Sequence, residues 1–148
     1  MPKLDLDRIP QVNRTGYPAP FAEIMARRHV RRLAPACGLR DFGVSHVMLE
    51  PGGISAQRHW HENEDEFVVV LEGEAVLVED EGETVLRAGD CAAFPKAVPN
   101  GHHLINRSDR RCIFLAIGQA TNGTAHYPDI DLHWDGPSQR FVPKTAKA

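Results

Sequence analysis

Hydrophobic and polar positions alternate with period two through the middle of the chain, where short segments are separated by clusters of Gly, Pro, Asn and Asp. Such alternation places every second side chain on one face and is typical of β-strands. Because no helical pattern lies between the segments, we expect an all-β antiparallel sandwich or barrel rather than βαβ units. The predicted strands cover residues 43–50, 56–61, 65–71, 74–79, 83–87, 91–94, 102–106 and 111–117.

Segments of different character flank these strands. Residues 1–42 are predicted to form an arm across the domain, because prolines interrupt any long helix there. Within the arm, residues 20–28 ("PFAEIMARR") combine an early proline, apolar positions at helical spacing and late arginines, which predicts a short helix. Residues 119–148 are rich in turn-forming residues and are predicted to pack as an extended strap. The chain is interpreted as one domain whose barrel spans residues 43–118.

Composition narrows the class of protein. The 148 residues are 42% hydrophobic and 25% charged, which is ordinary globular usage and argues against disorder. The net charge of −3 and the lack of long basic runs argue against nucleic-acid binding. The densest basic run, "RRHVRR" at 27–32, is expected to end a helix or to cover a surface.

Membrane and secretory signals are not found. No stretch approaches the roughly 18 apolar residues of a membrane span, and acids and a proline stand where a signal peptide needs an apolar segment. The three cysteines are widely spaced without a CxxC pair, which fits reduced thiols. We therefore expect a cytoplasmic protein that does not bind membranes.

The stretch "QRHWHENEDEFVVVLEG" at 57–73 carries the candidate chemistry. On a strand, Gln57, His59 and His61 share one face. A short hairpin would bring Glu66, at the start of the next strand, beside the two imidazoles. A later strand, "GHHLIN" at 101–106, offers His102 or His103 as a further ligand. These donors suit a first-row divalent metal, whereas an isolated HxH pair is more often a polar surface feature.

The same stretch resembles the first motif of the cupin superfamily. Gly53, His59, His61, Glu66 and Gly73 stand at the spacing of that motif. The resemblance implies a double-stranded β-helix, or jelly-roll barrel, with the two histidines and the glutamate as metal ligands. It covers about residues 43–118, and small cupins of this kind are commonly homodimers.

The second cupin motif is matched in part. Gly89 and Pro95 stand as expected, Ala97 replaces a glycine, and two extra residues precede the histidine. The family places this histidine four positions before an asparagine, which selects His102 with Asn106 over His103. The segment "HYPDIDLHW" at 126–134 also resembles one in small bacterial cupins, some labelled sugar-phosphate isomerases; we expect it to be structural.

Two classes of function follow. In the first, one divalent transition metal per chain (Mn, Fe, Zn or Ni) is held by His59, His61, Glu66 and His102, and the protein is a metal-dependent enzyme. It would isomerise a sugar or sugar phosphate or, with iron, act as a dioxygenase. In the second, the barrel binds or senses a small molecule without catalysis. Predicted substrate contacts are Gln57, Val68, Val70 and Leu104, and Glu66 is the predicted catalytic base if the metal leaves it free.

Overall fold

The computed structural model describes residues 2–119 and 122–145, which are built mainly from antiparallel strands. Three short helical turns lie before the second strand: two 3-10 helices, Leu6–Arg8 and Glu23–Met25, and α1, Leu33–Ala36. The strands are β1 Arg28–Arg32, β2 Gly43–Leu49, β3 Trp60–His61, β4 Glu66–Glu72, β5 Glu74–Glu79, β6 Gly82–Arg87, β7 Cys91–Phe94, β8 His103–Ile105, β9 Cys112–Gly118, β10 Ala125–Tyr127, β11 Leu132–Asp135 and β12 Arg140–Val142.

The strands form three antiparallel sheets. The largest has the order β1-β2-β9-β4-β7, a second has the order β12-β11-β10-β3, and a third has the order β6-β5-β8. Single bridges join the sheets further, including the pair His59 and His102. The predicted all-β jelly-roll class is confirmed, because non-consecutive strands pair antiparallel around one interior.

Alternation along β4 shows how the sequence builds the interior. Val68 and Val70 are buried, whereas Phe67 and Leu71, which point the other way, are 39% and 49% exposed. The inward residues of several strands meet in one apolar cluster: Val47, Leu49, Val68, Val70, Ala75, Leu77, Leu86, Leu104, Cys112 and Phe114. The turn into β5 needs Gly73, whose φ is +73° and where a Cβ would lie 2.4 Å from the carbonyl oxygen of Arg111.

The N-terminal segment departs from its prediction. The helix expected over residues 20–28 is wrong in extent, because only Glu23–Met25 form a 3-10 turn. Arg28–Arg32 instead pair with β2 along their full length, and α1 occupies part of the expected loop. Pairing with a sheet supplies backbone hydrogen bonds and burial that override a local helical preference.

The C-terminal segment is more regular than a strap. Of residues 119–148, those at 120–121 and 146–148 lie outside the described residues. The others include β10, β11 and β12, and β10 pairs with β3. A second apolar cluster, which includes Tyr17, Met25, Tyr127 and Leu132, lies beneath this sheet and the N-terminal arm. The tail therefore helps to position β3, the strand that carries His61.

Within the described ranges, the helices are all too short to cross a lipid bilayer.

Candidate metal centre

Three different sheets supply the histidines and the glutamate. His61 lies in β3, Glu66 begins β4, and His102 immediately precedes β8. The backbones of His59 and His102 face each other, since His59 N donates to His102 O at 3.1 Å and His102 N donates to His59 O at 2.9 Å. This antiparallel pair places the two rings 4.9 Å apart, centroid to centroid.

The predicted hairpin between the strand of His59 and His61 and the strand of Glu66 is wrong. β3 pairs with β10, whereas β4 pairs with β7 and β9. Glu66 therefore meets the imidazoles across the interior, from the opposite sheet. Alternation predicted the correct faces, but it carries no information about which strands are neighbours.

The carboxylate of Glu66 is the centre of the cluster. Its Oε1 is in close contact with His61 Nε2 and lies 3.6 Å from His59 Nε2. Its Oε2 accepts a hydrogen bond from His102 Nε2 at 2.8 Å. His59, His61 and Glu66 each offer one ligand atom, and these three atoms lie within 4.8 Å of one another. His102 adds a fourth donor through its contact with Glu66.

Neighbouring groups orient two of the rings. His59 Nδ1 donates to the carbonyl oxygen of Gln57 at 2.7 Å, which leaves its Nε2 lone pair directed towards Glu66. The His102 ring stacks flat on Phe94, with centroids 3.6 Å apart and planes 4° apart. His103 instead donates through Nδ1 to the carbonyl oxygen of Ala56 at 2.9 Å. Of the two candidate histidines, His102 is the one that reaches Glu66.

Charge interactions shift several pKa values here. Burial alone would raise the pKa of Glu66, but its contacts with the imidazoles of His102, His59 and His61 hold it far below its ordinary value. Burial alone would lower the pKa of His61, yet Glu66 and Glu64 together raise it. Burial lowers the pKa of His102. At neutral pH, Glu66 is therefore a carboxylate surrounded by imidazoles.

The donor set fits a divalent transition metal. Imidazole nitrogens and a carboxylate oxygen are the ligands that such ions prefer, and a carbonyl that accepts a hydrogen bond from the second ring nitrogen is a common partner of a metal-binding histidine. His59 already has that arrangement through Gln57. The protons that now join the other rings to Glu66 would leave when an ion binds.

A cavity of about 870 Å³ opens onto this cluster, and His59, Glu66 and His102 form part of its wall. Val68 and Leu104, two of the predicted substrate contacts, also line it and are nearly fully buried. Val70 is completely buried in the apolar core. Gln57 acts here through its main chain, accepting from His59 and donating to the hydroxyl of Tyr17 at 3.2 Å. The substrate role of these four residues stays a prediction.

Sequence reasoning missed two groups beside the histidine and glutamate cluster. Tyr127 is buried and its ring stacks on His59 at 5.5 Å. Glu64 lines the cavity and lies 3.7 Å from His61 Nδ1. Burial raises the pKa of Glu64, with a further contribution from Glu66. The sequence feature that could have pointed to Tyr127 is the dense group of polar and aromatic residues at 126–134. No sequence feature distinguishes Glu64 from the acidic residues beside it.

The basic run is also placed differently from its prediction. The run does not end a helix: residues 28–32 form a strand, and Arg28 and Arg32 line the cavity. Arg14 of the N-terminal arm lines it too. The spacing of Arg28, Val30 and Arg32 at every second position is a strand pattern, but the preceding helical periodicity obscured it.

Comparisons with known proteins identify relatives of this arrangement. Residues 45–118 match the Cupin domain family. A crystal structure described as a sugar phosphate isomerase of the cupin superfamily from Silicibacter pomeroyi is 45% identical, with a TM-score of 0.93, and the match covers 99% of this chain and 95% of that one. No curated protein matches the sequence.

More distant structures share the fold. A protein from Acidithiobacillus ferrooxidans, described as a proposed sugar phosphate isomerase, is 27% identical with a TM-score of 0.73, over 82% of this chain and 79% of that one. A polyketide cyclase from Streptomyces resistomycificus is 20% identical with a TM-score of 0.63, over 80% of this chain and 79% of that one. The similarity to the polyketide cyclase shows the fold alone, because one barrel fold supports different chemistries.

Proposed function

The chain belongs to the cupin superfamily, and from that premise we propose that it is a metal-dependent enzyme that isomerises a sugar or sugar phosphate. The observation that carries the proposal is the meeting of three imidazoles and one carboxylate beside a large cavity, whose wall includes His59, Glu66 and His102. The similarity to a structure described as a sugar phosphate isomerase, at 45% identity over nearly the whole chain, supports the choice of reaction.

In this proposal, His59, His61, Glu66 and His102 hold one divalent transition metal. When bound, the metal supplies a Lewis acid that polarises substrate oxygens. Gln57 fixes the tautomer of His59 through its carbonyl oxygen, and Phe94 holds the ring of His102 by stacking. These supports keep the ligand nitrogens in place before an ion arrives, which lowers the cost of binding it.

The remaining wall controls water and proton positions. Val68 and Leu104 present apolar surface beside the ligands and limit access of water. Glu66 is contacted at both oxygens, and its lowered pKa keeps it ionised at neutral pH but makes it a weak base. It is suited first to be a ligand; it would act as the catalytic base only with one oxygen released from the imidazoles.

The test starts with metal content. Protein purified without a His-tag should contain close to one transition metal per chain by elemental analysis. A variant with His59→Ala and His61→Ala should lose it, because two of the four donors are gone. His133→Ala, outside the cluster, is the matched control and should keep the metal. The same metal content in all three proteins, or none in any, would contradict the proposal.

Turnover is measured next, on a panel of aldose and ketose phosphates with their neutral sugars. We expect interconversion of an aldose and a ketose that requires the metal and disappears in the double histidine variant. Bound iron with oxygen uptake would instead identify a dioxygenase. Stoichiometric metal without turnover would identify a binding protein.

A further inference from the structure

Three arginines line the cavity, and two of them lie on β1, which belongs to the same sheet as the β4 strand of Glu66. Arg28 and Arg32 belong to β1, and Arg14 belongs to the N-terminal arm. Alternation explains why Arg28, Val30 and Arg32 share the inner face. The other two residues of β1 point outward, where His29 contacts Glu50 at 3.1 Å and Arg31 donates to the carbonyl oxygen of Ile9 at 3.2 Å.

The arm is attached so that its arginine joins this wall. Val12 and Val30 exchange two backbone hydrogen bonds, of 2.9 and 2.8 Å, which adds the arm to the outer edge of β1. Continuing this antiparallel register by two residues places Arg14 across from Arg28. Val12 and Arg14 both line the cavity, as the alternation of an extended segment requires.

The positive charge on this wall is uncompensated within the described residues. There, Arg14 and Arg32 have neither an ion pair nor a side-chain hydrogen bond. Arg28 is half-buried and donates from Nη1 to the carbonyl oxygen of Ser55 at 2.7 Å, a neutral partner. Burial lowers the pKa of Arg28, and repulsion from Arg32 lowers it further.

The two carboxylates among the cavity-lining residues, Glu64 and Glu66, already have partners. The carboxylate of Glu66 is in contact with three imidazoles, and Glu64 lies beside His61. Arg14 and Arg32 are exposed and Arg28 is half-buried, so water screens part of their mutual repulsion, and an opposite charge that joins them would relieve the rest. Guanidinium groups bind phosphate oxygens through paired hydrogen bonds, so an oxyanion is the ligand that this wall can accept.

The register of the large sheet gives the separation between the strand of Arg28 and Arg32 and the strand of Glu66. Arg32 pairs with Ser45, Ser45 with Ala116, and Ala116 with Val68, which is two residues from Glu66 in β4. Three strand spacings separate β1 from β4, or about 14 Å between backbones. Side chains that extend inward from both strands shorten this gap. An anionic group at one end of a small molecule can therefore sit on the arginines while its other end reaches the histidines.

We propose that Arg14, Arg28 and Arg32 form a phosphate-binding subsite, so that the substrate is a phosphate monoester of a small sugar rather than the neutral sugar. A phosphate carries close to two negative charges and three acceptor oxygens, which matches three guanidinium groups better than a carboxylate does. Ser45 lies opposite Arg32 on the neighbouring strand β2, and its hydroxyl adds a neutral donor on the same wall. The identity of the substrate as a sugar rests on the proposed function, whereas binding of phosphate does not require the metal.

The experiment uses the full chain after removal of metal with a chelator, so that no ion can hold the anion. Isothermal titration with inorganic phosphate should show one saturable site per chain. Acetate, which carries a single negative charge, should bind at least tenfold more weakly. Absence of a saturable phosphate site, or equal affinity for acetate, would overturn the proposal.

Variants locate the site. Arg14→Gln and Arg32→Gln should each raise the Kd for phosphate by about tenfold, the usual loss for one hydrogen-bonded charge. Both side chains belong to exposed residues, so folding should survive, and circular dichroism checks this. Arg40→Gln removes the same charge from an exposed residue outside the cavity wall and should leave the Kd unchanged. An equal loss in the Arg40 variant would show general charge attraction and overturn the assignment.

The two proposals fail separately. Arg32→Gln should retain close to one metal per chain, and the double variant His59→Ala with His61→Ala should still bind phosphate. If phosphate binds but neither the wild type nor any variant contains metal, the proposed enzyme is contradicted and the subsite is kept. Metal and turnover that are unaffected by Arg14→Gln and Arg32→Gln would remove the subsite but leave the enzyme.

Discussion

At the scale of single residues, Ala97 shows how a departure from a motif is accommodated. It stands where the related motif has glycine, and its φ of 61° lies in the left-handed region that favours glycine. Its N–H donates to the carbonyl oxygen of His61 at 2.8 Å, which ties the loop before His102 to the strand of another ligand. The residue type differs from the motif, but the backbone at this position adopts a conformation that favours glycine.

His46 gives a pH prediction at the same scale. Burial lowers its pKa, and the nearby Arg31 lowers it further, so the folded chain prefers the neutral imidazole. The unfolded chain takes up the proton more readily, and stability is therefore lost as pH falls below the unfolded pKa of about 6.5. Chemical denaturation at pH 7 and pH 5 should show a smaller drop in the free energy of unfolding for His46→Gln than for wild type.

The difference between the two proteins is the readout, because other histidines titrate in both. His46 lies on β2 and contributes no contact to the Glu66 cluster. An equal drop in the two proteins between pH 7 and pH 5 would contradict the role assigned to His46.

At the scale of elements, the sequence specified strand faces better than strand partners. Strands were predicted close to their observed bounds from β4 to β9, because alternation and turn residues are local signals. β1 was missed because its pairing with β2 is a long-range interaction. The partner of β3 was predicted wrongly for the same reason: β10, far along the chain, pairs with it instead of β4.

The attachment of the N-terminal arm can be tested directly. Val12→Pro removes the N–H that donates to Val30 O and should detach the arm, at a cost of about 1 kcal/mol of stability. Limited digestion with trypsin should then cut faster after Arg14, as followed by mass spectrometry. Val12→Ala keeps the N–H and serves as the control. Equal cleavage rates in the two variants would show that this bridge does not hold the arm.

At the scale of the whole molecule, the candidate metal centre lies where all three sheets meet. β3, β4 and the start of β8 belong to different sheets, so one ion would connect elements that the backbone ladders leave separate. Binding of an ion at this site should therefore affect the stability of the fold whether or not the protein catalyses a reaction. The homodimer expected from the sequence stays a prediction.

Metal should stabilise the fold. An ion at 100 times its Kd that binds only the folded chain contributes about 2.7 kcal/mol, which corresponds to a rise in Tm of about 8 °C for a chain of this size. Differential scanning calorimetry of chelated and metal-loaded protein measures this rise. The double variant His59→Ala with His61→Ala should show little rise, and an undiminished one would place the ion elsewhere.

The sequence by itself determined the all-β class, the inward faces of the central strands and the set of residues that meet at Glu66. These follow from period-two alternation and from motif spacing, both of which are visible in short stretches of chain. Only the tertiary structure decided that β3 joins the C-terminal sheet, that Tyr127 stacks on His59, and that three arginines face the cavity. Those outcomes depend on which distant segments become neighbours, and local patterns of polarity do not encode that choice.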